Sequence, residues 1–168
     1  MAYVTPSHQF PLGVSLTLGR RLELLHWAAR HDAWIIEDDY DSEFCYDGRP
    51  IAALQSLEPD GRVLYLGTWN KLLFPGLRLA YMVLPESWMP AFVAARRIAS
   101  GPPSALLQTV LCEFMATGRL AAHLRNSRMH YVESRDALLT AIAEHWGDRV
   151  HLGPSRTGLH VLAHLADS

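Results

Sequence analysis

Lysine is almost absent from this chain of 168 residues: of its 15 basic residues Lys71 is the only lysine, and the other 14 are arginine. A guanidinium stays protonated and is a poor nucleophile, so any amine chemistry in this chain falls to Lys71. Cysteine is scarce as well. Cys45 and Cys112 stand far apart with no CxxC spacing, which excludes a disulfide framework and fits reduced thiols in a cytoplasmic protein. No charge of one sign dominates: the formal net charge is -2 and the isoelectric point is near 6.5, which gives no electrostatic case for nucleic-acid or membrane binding. Long apolar runs are missing too, and no charged segment followed by an apolar core opens the chain. Neither a membrane helix nor a signal peptide is expected.

Apolar residues make up 49% of the sequence and are spread along it, as in a globular protein. The chain enters a strand-like segment at once and ends just after an apolar run, so a piece of a longer protein is expected. Tyr3 to Thr5 reads as a strand end, closed by the turn formers of Pro6 to Gly13. From Thr17, apolar residues Leu18, Leu22, Leu25 and Ala28 recur at helical spacing, with Arg20, Arg21, Glu23 and Arg30 on the other side and Ser15 or Thr17 as the cap. Ala33 to Glu37 is a second strand, so strand, helix and strand imply a parallel pair. Val63 to Thr68 and Leu77 to Leu84 are further strands. The residues between them are too few for a parallel crossover, so this pair is expected to be antiparallel. Helices follow over 88–99, 104–116 and 120–146, with Trp88, Phe92, Leu106, Val110 and Phe114 as their core. Strands over 150–152 and 160–164 open a second, smaller sheet.

Ligands of open α/β sheets sit outside the carboxyl ends of strands, and both Asp38 and Lys71 fall there. An ion pair is the plain explanation. An aldehyde cofactor with a pyridine ring, however, needs an amine for a Schiff base and a carboxylate at the ring nitrogen. Leu72, Leu73 and Phe74 are expected to give Lys71 an apolar setting that eases its deprotonation.

Two stretches carry a family resemblance: Ile36-Glu-Asp-Asp-Tyr-Asp-Ser-Glu-Phe44 and Gly67-Thr-Trp-Asn-Lys-Leu-Leu-Phe-Pro-Gly-Leu-Arg78. With Thr5 to Gly13 and Gly158-Leu-His160, they resemble the class I/II aminotransferase domain of MocR-type regulators in the GntR family. The resemblance implies a fold type I large domain with a mixed, mostly parallel sheet over 1–118, then the start of a small α+β domain over 119–168. It implies pyridoxal phosphate (PLP) as cofactor, with Lys71 binding the aldehyde as a Schiff base and Asp38 pairing with the pyridine nitrogen. Tyr40 would donate to the ring's phenolic oxygen, Arg78 would grip the phosphate, Thr68 would add a phosphate hydrogen bond, and His8 would touch the ring oxygen. It further implies an amino acid or amine as effector or substrate, a homodimer, and DNA contact only through a winged-helix domain outside this chain.

The departures bear on activity. Phe10 stands where an aminotransferase has the Asn of its Asn-Pro-x-Gly motif, which weakens the case for transamination. Asn70 replaces the usual small hydroxyl residue before the lysine, and Ala80 the usual Gly. Transcriptional regulator and active aminotransferase therefore both stand as readings. The acidic run from Glu37 to Glu43 suggests a Mg²⁺ cluster, but neighbours on a strand point to opposite faces, so few of its oxygens converge. His160 and His164 share a strand face without a third ligand at recognisable spacing and are read as surface or core histidines. No metal is expected.

Overall fold

The computed structural model describes residues 1–58 and 60–166. Strands β1 (Ala2–Val4), β2 (Ile35–Asp39), β3 (Val63–Thr68) and β4 (Ala80–Val83) form one sheet in that order. The first three run parallel and β4 is antiparallel to β3, because residues 69–79 allow only a turn and no crossover. Helix α1 (Leu18–Arg30) makes the crossover from β1 to β2. Thr17 caps it, its side chain accepting from the Arg20 amide.

One face of the sheet is packed. Leu25 and Ala28 of α1 meet Ile35, Val63 and Leu54, the last from the short helix α2 (Leu54–Leu57). Burying each of the larger aliphatic side chains contributes about 2 kcal/mol. Alternation along β2 follows: Ile35, Glu37 and Asp39 are buried, whereas Ile36 and Asp38 point to the other, more open face. Glu37 accepts from the amides of Leu54 and Gln55 at 2.9 Å each and so anchors α2, while burial pushes its carboxyl above the usual range.

Arg21 departs from the sequence reading. It lies on the inner face of α1 and is only 1% exposed. Its guanidinium donates to the carbonyls of Leu16, Pro6 and Ala52 at 3.1, 2.9 and 2.9 Å and sits 3.8 Å from Glu37. A planar fork with five donors satisfies three loops at once, which a periodicity count cannot foresee.

Helices α3 (Met89–Ser100), α4 (Ala105–Ala116) and α5 (Arg119–His145) follow β4. Leu106 and Val110, expected in a helix core, are 72% and 54% exposed. The face of α4 that packs carries Leu111 instead, against Leu77 and Leu79. Strands β5 (Val150–Leu152) and β6 (Ala163–Leu165) form a separate antiparallel pair. β6 begins at Ala163, so His160 precedes it and does not share its face with His164. No helix among the described residues is long and apolar enough to cross a membrane.

Candidate cofactor site

Asp38 and the Lys71 turn emerge at the carboxyl ends of neighbouring parallel strands, β2 and β3, where Asp38 pairs in register with Leu66. Asp38 is half-buried, and its Oδ2 accepts a short hydrogen bond from the hydroxyl of Tyr3 on β1. That bond, with burial and the Asp38 charge, pushes the Tyr3 hydroxyl up to about 12. Asp39, on the packed face, is committed elsewhere: it accepts from Tyr65 Oη at 2.9 Å and from the Ser42 hydroxyl and amide at 2.7 and 3.3 Å. The two adjacent carboxylates therefore have different duties.

Lys71 is exposed and makes no ion pair or side-chain hydrogen bond among the described residues. Its apolar setting is not formed by its neighbours: Leu72 turns inward at 3% exposure, while Phe74 is 55% exposed. The turn itself is braced. Asn70 donates its amide to Thr68 Oγ1 at 3.2 Å, and its Oδ1 accepts from Leu79 N at 3.1 Å. Arg78 closes the turn in a left-handed conformation, φ 54°, unusual for a residue with a Cβ. It borders a cavity of about 370 Å³ shared with Trp69, Tyr81 and Arg96.

Tyr40 and His8 meet, but not as a pair free to reach a ring oxygen. Tyr40 donates to the His8 carbonyl at 2.9 Å and lies 3.4 Å from its Nδ1. Burial first, and then Asp41, Asp38 and Asp39, hold this hydroxyl well above its ordinary range, so it stays a donor. His8 is 1% exposed and its Nδ1 lies 2.8 Å from Asp41 Oδ2.

Over residues 4–168 the sequence matches the family described as aminotransferase class I and II. The chain belongs to that family. It is 44% identical to the "Uncharacterized HTH-type transcriptional regulator YhdI" of Bacillus subtilis, over 98% of this chain and 35% of that protein. It is 40% identical to the "Probable rhizopine catabolism regulatory protein MocR" of Rhizobium meliloti, over 97% of this chain and 33% of that protein. In three dimensions it is similar to a Pyrococcus horikoshii kynurenine aminotransferase solved in complex with PMP, with a TM-score of 0.91 and 32% identity, over 98% of this chain and 41% of that one. This is the fold type I architecture expected from the sequence. The chain spans about a third of the length of the curated relatives it matches.

Several residues of this aminotransferase-family chain escaped the sequence reading. Tyr3 is one: only the strand register, which pairs Tyr3 with Ile36, brings it onto the face of Asp38. Asp41 is another. Besides His8, its Oδ2 accepts from the Leu159 amide at 3.1 Å, a contact spanning 118 residues. No local pattern announces such a partner.

Proposed function

We infer that this chain is the PLP-binding, aminotransferase-like part of a MocR-type transcriptional regulator of the GntR family. The observation that carries the reading is the pair formed by an uncommitted amine, Lys71, and a half-buried carboxylate, Asp38, at the carboxyl ends of adjacent parallel strands. This donor set fits PLP: Lys71 would bind the aldehyde, Asp38 would face the ring nitrogen, and Arg78 with Thr68 would hold the phosphate. When bound, the cofactor supplies an electron sink. The residues of the chain do the rest: Tyr40, held by the His8 carbonyl in the free chain, would turn from it to donate to the ring's phenolic oxygen, Asn70 fixes the lysine turn, and Tyr3 orients Asp38. His8 acts through its carbonyl on Tyr40.

Phe10, 66% exposed, sits at the Asn of the aminotransferase motif with a side chain that offers no hydrogen bond, which favours sensing over turnover. The likeness to a kynurenine aminotransferase supports the alternative, an aminotransferase moving an amino group from an amino acid to a 2-oxo acid. We further read residues 1–118 as large-domain material and 119–168 as the start of the small domain, in a cytoplasmic homodimer. The ligand is an amino acid or amine, and DNA is bound through a segment outside this chain.

Borohydride reduction of the PLP-loaded protein followed by peptide mapping tests the site. The pyridoxyl mass should fall on Lys71, and Lys71→Arg should abolish the covalent link while keeping the charge. A label elsewhere would overturn the assignment. Ligand-dependent DNA binding by the whole gene product, without net amino transfer, separates regulator from enzyme.

A further inference from the structure

His8, Asp41 and His160 lie 33 and 119 residues apart in succession, yet each offers a ligand atom within 4.8 Å of the others. His8 and Asp41 are each 1% exposed, and His160 is half-buried. The imidazoles of His8 and His160 face one another with centroids 4.2 Å apart and planes 33° apart.

The pair is not satisfied as it stands. An ionised Asp41 can only accept, so His8 Nδ1 carries the hydrogen of their 2.8 Å bond. That leaves His8 Nε2 and Asp41 Oδ1 buried with no partner. Two unpaired polar atoms in one buried cluster cost stability unless something meets them. Gly158 lets the pair pack against the backbone: a Cβ there would fall 1.8 Å from His8 Nδ1 and 2.6 Å from Asp41 Oδ2.

We propose that His8, Asp41 and His160 form a binding site for a first-row divalent transition metal, of the Zn²⁺ or Fe²⁺ type. Two imidazoles and one carboxylate are the donors such ions take, whereas Mg²⁺ and Ca²⁺ prefer all-oxygen shells. Ligand atoms at about 2.1 Å from one metal stand about 3.4 Å from each other in tetrahedral geometry. One ligand atom of each residue already lies within 4.8 Å of the others, so an ion would be held once the His8–Asp41 hydrogen bond opens and the three side chains draw in around it. An ion there ties the segment after β5 to the loops that follow β1 and β2. Asp41 is the next residue after Tyr40, and Tyr40 donates to the His8 carbonyl, so occupancy would fix the proposed cofactor contacts from behind. The site itself stands independently of any cofactor.

Titrating the full chain with Co²⁺, read by its d–d absorption, and displacing it with Zn²⁺ tests this. One equivalent should bind saturably, and His160→Gln, the least buried ligand, should weaken binding at least tenfold while leaving the circular dichroism unchanged. The exposed cross-strand pair His151 and His164 is a competing surface site, removed by His164→Gln, which should leave the first equivalent intact. In the unmutated chain, proton NMR should show Co²⁺-shifted ring resonances of His8 and His160, a readout that needs no variant. Absence of a saturable equivalent, its loss in His164→Gln, or shifts confined to other histidines would overturn the proposal and leave His8 and Asp41 as a hydrogen-bonded pair.

Discussion

The hydroxyl of Tyr3 rests on the same carboxylate, Asp38, that the cofactor reading assigns to the ring nitrogen. This bond joins β1 to β2 across the sheet's open face and makes a pH signature. The Tyr3 pKa is raised in the folded state to about 12, against about 10 for a free tyrosine. A raised folded-state value means the bond contributes stability below pH ~10 that is lost as pH rises through about 12. Tyr3→Phe should therefore have a lower urea midpoint than the parent chain at neutral pH, with the difference closing between pH 10 and 12. Half-buried Tyr46 and Tyr65, with hydroxyls raised by burial in both proteins, cancel in that comparison. A difference that does not change across this window would show the bond to be unimportant.

Asp38→Asn and Asp39→Asn separate the two carboxylates. Loss of the Asp38 charge should weaken PLP retention in the complete protein by about tenfold or more, ~1.4 kcal/mol, because a pyridinium then lacks its counter-charge. Asp39→Asn should act on stability instead, since its amide cannot accept all three hydrogen bonds from Tyr65 and Ser42. A cost of about 1–3 kcal/mol is expected in denaturant unfolding. Equal cofactor loss in both variants would mean that the wrong carboxylate faces the ring.

The parallel β1–β2 pair, the antiparallel β3–β4 pair, Thr17 as one of two candidate caps and the position of Asp38 and Lys71 near strand ends were legible in the sequence because each depends on local periodicity or connection length, whereas the β2–β3 neighbourhood was not. What stayed hidden is long-range. Arg21 looked like a solvent-facing charge on α1, and only the loops around Pro6 and Ala52 explain its burial. The motif drew attention to Asp38, but Asp41 gains its meaning from His8 and from backbone 118 residues away. Leu106 and Val110 have helical core spacing, yet α4 packs through Leu111 in this chain.

Arg21 is the next test of that hidden part. Its removal strands the carbonyls of Leu16, Pro6 and Ala52 and leaves Glu37 without its nearest cation. Arg21→Met should cost about 3–5 kcal/mol, the usual penalty for breaking a buried charged network from one side. Arg21→Lys should recover little of it, because an ammonium cannot reach three divergent acceptors with a planar fork. Urea midpoints of the two variants decide. A near-native Lys variant would show that charge, not fork geometry, holds the loops.

Gly158→Ala should damage the chain more than its size suggests. Gly158 has φ +80°, a left-handed conformation that already costs an alanine about 1 kcal/mol. The steric demand is larger: the added methyl would overlap His8 Nδ1 at 1.8 Å and Asp41 Oδ2 at 2.6 Å, and neither side chain has room to retreat at 1% exposure. Relief requires breaking the His8–Asp41 bond or displacing Leu159 N from Asp41, either of which leaves buried polar groups unpaired. Overpacking and lost bonds together should lower stability by about 2–4 kcal/mol. Gly147→Ala supplies the control, since its φ is also positive, at +51°, but nothing lies within 4 Å of the added Cβ. Thermal unfolding should therefore show a small loss for Gly147→Ala and a large one for Gly158→Ala. Equal losses would assign the whole effect to backbone conformation and remove the steric case for the close packing of His8 and Asp41 against Gly158.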